Sequence, residues 1–224
     1  MDFLTIGNIT KDLISGGYTV GGTVTYASVA AMQLGRRPGV LTRIGPDLAL
    51  PDVYDQVELL ALPSDHTLTF QNIYTPDGRV QTIHAFADPI RNEDVPQSLR
   101  ENNPSIVLLG PLAGELDPSI ADLFPNSLMG VVPQGWMRRW DERGHVSQHP
   151  LDCADELLRY ADVLVVSTED VGHDISLAQC YAETVPVLVL TRGIHGADVY
   201  ANGHVTHVRP RKAIEVDPTG AVRY

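Results

Sequence analysis

The sequence predicts a three-layer α/β/α sandwich on a mainly parallel central sheet, with small β-hairpin additions. Three observations lead there. Short apolar runs, Ser105-Ile-Val-Leu-Leu109, Leu128-Met-Gly-Val-Val132, Ala161-Asp-Val-Leu-Val-Val166 and Val185-Pro-Val-Leu-Val-Leu190, alternate with helix-like stretches. Runs of this kind are strands buried on both faces, as parallel sheets require. Turn or capping residues close the runs, at Gly7, Gly45, Gly110, Ser167 and Thr191. Finally, 224 residues with 43% hydrophobic and 20% charged content suffice for one substantial core.

The elements follow in order. Phe3-Leu-Thr-Ile6 is a short strand ending at Gly7. Gly16-Gly17 and Gly21-Gly22 bracket an extended piece, Tyr18-Thr-Val20. An Ala-rich helix runs from Thr25 to Leu34 and stops at Gly35, a C-terminal cap signal. Gly39–Ile44 and Val57–Leu62 are the next strands. Thr67–Tyr74 and Arg79–His84 alternate in polarity around Asp77-Gly78, which is a hairpin signal. Helices fit Pro118–Phe124, Cys153–Tyr160 and Ile175–Glu183, and a hairpin turns at Asn202-Gly203. Lys212–Val216 is a last extended piece leading into Asp217.

Bulk properties exclude several functions. A net charge of −12 with scattered basic residues argues against nucleic acid as a partner. No run of about eighteen apolar residues exists to span a membrane. Met1-Asp2-Phe3-Leu4 moves straight into a strand rather than a signal peptide, so a cytoplasmic location is expected. Cys153 and Cys180 read as free thiols, and neither they nor the eight histidines show zinc-ligand spacing. A G-x-S-x-G hydrolase turn is absent.

Ligands of open α/β sheets bind beyond the carboxyl ends of strands, and the candidate residues fall there. Asp12 follows the first strand, and Gly21-Gly22 stands at a helix entrance, where the backbone can meet a ligand. Taken singly, these are a solvated loop acid and a flexible turn. A carboxylate suits hydroxyl binding because it accepts two hydrogen bonds and donates none. Val166-Ser-Thr-Glu-Asp-Val171 is either a helix cap or an acidic turn able to reach a hard cation through water. Thr191-Arg-Gly-Ile-His-Gly196 is a glycine-bearing loop after a strand; Arg192 is placed to meet a phosphate, and His195 reads as exposed. Trp136 and Trp140 read as packing at a layer edge. Asp217-Pro-Thr-Gly-Ala221 is built to pass from a strand into an anion-binding helix N-terminus.

These motifs, in this order, resemble the ribokinase-like (PfkB) carbohydrate kinases. Asp217 to Ala221 resembles that family's D-x-T-G-A-G-D motif, whose second Gly and final Asp complete an anion hole and supply the catalytic base. Here Val222 and Arg223 stand in those places, so no catalytic base is expected. The resemblance implies that Asp12, Gly21 and Gly22 contact substrate hydroxyls. Tyr26 takes the Asn position of G-G-x-x-x-N-x-A. It also implies that Thr191, Gly193, Gly196, Asp217, Thr219, Gly220 and Ala221 meet ATP or its phosphates, and that Asp170 reaches Mg²⁺ through water. Tyr26 and the short Asp12–Gly21 segment, which leaves little material for the family's β-sheet lid, point to an inositol- or cyclitol-kinase-like branch.

The resemblance further implies one domain over 1–224, incomplete at its C-terminus and without its nucleotide-binding part. Such a chain looks cut off or frame-shifted at its active site, inactive in phosphoryl transfer, or else a non-catalytic polyol-binding protein. An apolar scar is then expected along Val185–Leu190 and Lys212–Val216, covered in a homodimer or larger association.

Overall fold

A computed structural model of the chain describes residues 1–75, 78–151 and 154–210. The chain opens with β1 (Phe3–Ile6), β2 (Thr10–Ile14), β3 (Gly17–Gly21) and α1 (Thr23–Gln33). Next come β4 (Pro38–Ile44), a 3-10 turn at Asp52–Gln56, β5 (Glu58–Pro63), β6 (Thr69–Thr75) and β7 (Gly78–Ala85). Then follow α2 (Gln97–Asn102), β8 (Ile106–Leu109), a 3-10 helix at Pro118–Leu123 and β9 (Leu128–Val131). A ribbon of β10 (Arg138–Trp140) and β11 (Val146–Gln148) precedes α3 (Ala154–Leu157) and β12 (Val163–Ser167). The last elements are α4 (Ile175–Ala182), β13 (Val187–Thr191), β14 (Ala197–Ala201) and β15 (His204–Val208).

The main sheet has nine strands in the order β15-β14-β13-β12-β9-β8-β1-β4-β5. From β13 to β5 neighbouring strands run parallel, and β14 and β15 add an antiparallel edge. In-register residues Ile6, Leu41, Leu109, Val131, Leu164 and Leu188 form one row, all fully buried. Burying side chains of this size stabilises by about 1.5–3 kcal/mol each. This is the face packed by the 3-10 helix at Pro118–Leu123, α3 and α4.

The opposite face differs from expectation. Thr5 and Val40 are buried there beneath α1, whose Ser28 Oγ lies 3.4 Å from Thr5 Oγ1. Across β12 and β13, Val163, Val165, Val187 and Val189 on that face are only partly buried, alternating with buried neighbours. Among the described residues the strand read as fully buried is thus covered on one side, because α1 packs on β1 and β4. Lys212–Val216 lies outside the described residues.

Beside the main sheet stands a four-stranded sheet in the order β3-β2-β6-β7. This corrects the reading of a missing lid. Ten strand residues in β2 and β3 suffice for a hairpin, and β6 pairs with β2 in parallel to bring in the second hairpin. Asp12 is accordingly a strand residue, not a loop one. Pro118–Phe124 is a 3-10 helix rather than an α-helix, capped by the Asp117 side chain. The helix expected over Cys153–Tyr160 is confined to Ala154–Leu157, with Cys153 outside the described residues. Among the described residues no helix is long and apolar enough to cross a membrane.

Candidate functional site

The order of strands reverses around β1, which lies between β4 and β8, and ligand crevices form at such points. Here the loops after β1 and β8 are tied together by Glu115. Its carboxylate is buried and accepts from Leu112 N at 3.0 Å, Ala113 N at 2.7 Å and Asn8 N at 3.3 Å. Burial pushes this carboxyl up, against the backbone donors that favour its charge.

Asp12 points from β2 into a cavity of about 190 Å³ at this crevice. Thr10 Oγ1 donates to its Oδ1 at 3.1 Å. Gly21 lies across the β2–β3 pair, and a Cβ there would run into Asp12 Oδ2, so glycine makes room for the carboxylate. Burial raises the Asp12 pKa, opposed by the Thr10 hydrogen bond and by the charges of Arg138 and Arg79. Gly22 caps α1 at φ 102°, and a Cβ on it would lie 2.5 Å from Asn8 O. Such a left-handed position favours glycine. Thr25 Oγ1 donates to Gly21 O at 2.6 Å and meets Tyr54 Oη at 2.7 Å, fixing the helix start.

Tyr26 flanks the cavity and is 55% exposed. Burial, then the nearby Asp12 charge, raises its phenol. The lid contributes Phe70, Asn72, Arg79 and Gln81, with Gln81 Nε2 donating to Asn72 Oδ1 at 2.9 Å. Leu112, Gln134 and Arg138 come from beyond the carboxyl ends of β8 and β9. Asp12, Gly22 and Tyr26, singled out in the sequence, therefore line one cavity, and Gly21 lies against Asp12 beside it. Asp217, Thr219, Gly220, Ala221 and Arg223 lie outside the described residues.

Arg79, Gln81 and Arg138 also line a second cavity of about 380 Å³, with Gln148, Glu169, Asp170 and His173. Asp170 forms a reciprocal cap with Ser167: Ser167 N and Oγ donate to Oδ2 at 2.8 and 2.7 Å, and Asp170 N donates to Ser167 Oγ at 3.0 Å. Gln134 Nε2 donates to its other oxygen at 3.2 Å. Neither Ser167 nor Thr168 caps a helix: residues 168–173 form turns, and the next helix, α4, is capped by Asp174. Among the described residues no group of three or more acids, histidines or cysteines could hold a metal, so these residues build no direct cradle for Mg²⁺.

Thr191 ends β13 beside Ser167, and Thr168 N donates to Thr191 O at 3.0 Å. Gly193 and Gly196 flank a tight turn closed by Arg192 N to Gly196 O at 2.8 Å. These residues line neither cavity described above. Arg192 pairs with Asp198 at 2.8 Å, and His195 is exposed. Trp136 is core, donating from Nε1 to Leu116 O at 2.9 Å, while Trp140 packs on Phe86 with ring centroids 5.2 Å apart.

Sequence reasoning missed Arg79, Gln81, Gln134, Arg138 and Glu115. Arg138-Arg139 was visible after a strand. Which arginine turns inward depends on the β10–β11 ribbon, which buries Arg138 and exposes Arg139.

A nine-stranded, mostly parallel sheet with a β lid over its switch point is the fold of the ribokinase-like kinases. Comparison with known proteins places the chain beside the inositol kinases of that class. It is 26% identical over 253 residues to inositol 3-kinase of Oryza sativa subsp. japonica, covering 97% of this chain and 59% of that protein. It is 29% identical over 160 residues to inositol 3-kinase of Zea mays, covering 68% of this chain and 39% of that protein. The chain thus spans little more than half the length of the longer-matched relative. A sulfate complex of a pyrophosphate-dependent kinase in the ribokinase family superposes with a TM-score of 0.80 at 19% identity, covering 97% of this chain and 82% of that one. A pyrophosphate-dependent kinase in the ribokinase family complexed with a pyrophosphate analog and myo-inositol gives 0.77 at 19% identity, covering 95% and 80%. No protein-family profile matches the chain.

Proposed function

We propose that the chain carries the acceptor site of a cyclitol kinase, with Asp12 accepting hydrogen bonds from hydroxyls of an inositol-like polyol. The observation that carries this reading is the half-buried Asp12 carboxylate facing a cavity of about 190 Å³ under the lid. At about 30 Å³ of liquid per water molecule, that is room for one small polyol. Similarity to plant inositol 3-kinases supports the choice of cyclitol over other sugars.

The phosphoryl donor in this reading is ATP with Mg²⁺. In this reading Thr191, Gly193 and Gly196, with Asp217, Thr219, Gly220 and Ala221, would meet its phosphates, and Asp170 would reach the cation through water. The pyrophosphate named for two structural neighbours supports a polyphosphate donor in general. Arg223 stands at the base position and stays protonated, so it cannot take the acceptor's proton. Loss of a general base costs about 10²–10⁴-fold. Polyol binding without measurable phosphorylation is therefore the expected behaviour of residues 1–224.

Thermal unfolding tests the proposal, because ligands that bind only the folded state stabilise it. Myo-inositol is expected to raise the Tm more than ATP with Mg²⁺ does. An ATP shift with none from a broad polyol panel, or robust formation of a phosphorylated polyol by the 224-residue chain, would reverse this reading.

A further inference from the structure

We propose that Arg138 and Arg79 form an oxyanion subsite, taking a phosphate group where the two cavities meet. The proposal rests on the reading of the Asp12 cavity as a polyol site and adds a second ligand chemistry to it. Arg138 is 6% exposed, yet it makes no ion pair among the described residues. Among the described residues its one hydrogen bond to protein runs from Nη1 to Leu112 O at 3.1 Å, and its guanidinium lies 5.9 Å from the Phe70 ring centroid. The remaining donors of the planar fork face the cavities.

Arg79 reaches the same junction from lid strand β7. It is held by Glu169 at 3.1 Å, so the charge of Glu169 reaches Arg138 only without a direct bond. The other acids around Arg138 are also engaged: Asp170 by Ser167 and Gln134, Glu115 by backbone N–H groups, and Asp12 by Thr10. Burial, and then the like charge of Arg79, lower the Arg138 pKa to about 10, so it remains a cation at neutral pH.

Holding two like charges together, one of them buried with no contact ion pair among the described residues, is costly. The charged lining of the polyol cavity is two arginines and one aspartate, and the larger cavity adds Glu169 and Asp170, whose charges act on Arg138 without bonding to it. A phosphate bound by both forks would take up the donors that these carboxylates leave open, because guanidinium donors match phosphate oxygens in pairs. Two sources share this chemistry: a phosphoryl donor entering from the larger cavity, or a phosphate substituent on the polyol. Either would bridge the lid to the β10 ribbon.

Calorimetric titration of the 224-residue chain with inorganic pyrophosphate, myo-inositol and a myo-inositol monophosphate tests the subsite. Arg138→Met and Arg79→Gln are each expected to weaken phosphate-bearing ligands at least tenfold, and by a larger factor than either weakens myo-inositol, whose cavity both residues line. Arg79 lies at the surface of the lid, so its variant stays informative if Arg138→Met unfolds. Pyrophosphate binding on top of saturating myo-inositol assigns the subsite to the donor. Competition of the monophosphate with myo-inositol, with an affinity advantage lost in the variants, assigns it to the acceptor. Both outcomes support the proposal. Undiminished phosphate affinity in both variants, or no anion binding by the wild type, overturns it. Anion binding with no myo-inositol binding would leave the subsite standing and sink the polyol reading instead.

Discussion

Asp12 lies half-buried in a cavity it shares with two guanidiniums, without forming an ion pair among the described residues. Removing water from a carboxylate costs the protein stability, and hydroxyls of a bound polyol would restore the lost hydrogen bonds. Replacing Asp12 with Asn is expected to weaken myo-inositol by about 10- to 100-fold, since hydrogen bonds to a charged group contribute about 1.5–3 kcal/mol. The pH dependence follows from the raised pKa. Binding that needs the carboxylate falls away on acidification above the ordinary carboxylate range. Stability moves the other way, because a group with a raised folded pKa stabilises below its unfolded pKa and loses that contribution as pH rises through the folded value. The wild type should therefore gain stability over Asp12→Asn on mild acidification, as paired melting curves will read. Asp12, Gly21 and Gly22 were legible because glycine pairs at a helix entrance serve few purposes. Arg138 was not, since its burial depends on a ribbon formed with residues further along the chain.

At the scale of elements, the lid is anchored where β2 and β6 leave the main body. Lys11 Nζ meets Asp47 Oδ2 at 2.7 Å, while Thr67 N and Oγ1 donate to Oδ1 at 3.1 and 3.0 Å. Burial opposes the charge of Asp47, but these donors outweigh it and lower its pKa to about 2. A lowered carboxylate stabilises above its unfolded pKa, here near 3.8, and that contribution disappears as pH falls through about 2. Much of Asp47 is exposed and screened, so the effect is smaller than the shift alone suggests. Asp47→Asn is expected to flatten the acid limb between about pH 4 and 2 and to loosen the lid, giving faster amide exchange in β2 and β6 than in β12 and β13. Unchanged exchange in β2 would contradict this anchoring role. The second hairpin of the lid was legible from its alternation and Asp77-Gly78. Its union with β2 was not, because parallel pairing across more than fifty residues leaves no local pattern.

At the scale of the whole molecule, the parallel sheet was legible because apolar runs and capping residues repeat at strand–helix spacing. The uneven covering of its two faces was not, since a valine run reads the same under one layer or two. Among the described residues, Leu128 and Val208, 47% and 51% exposed, extend the apolar face that runs through Val163, Val165, Val187 and Val189. Contiguous apolar surface favours association, and a second copy of the chain is the expected cover. Light scattering over a concentration series should show dimer, and Val189→Lys should return it to monomer. A wild type that stays monomeric at high concentration would count against that.

Whether Asp12 and the lid enclose the polyol acceptor is decided by a crystal structure with myo-inositol bound. One cyclitol ring is expected in the cavity of about 190 Å³, with hydroxyls donating to Asp12 and the ring lying between Gly22 and the β6–β7 hairpin. A ring bound elsewhere, or an empty cavity in crystals grown at saturating myo-inositol, would contradict it.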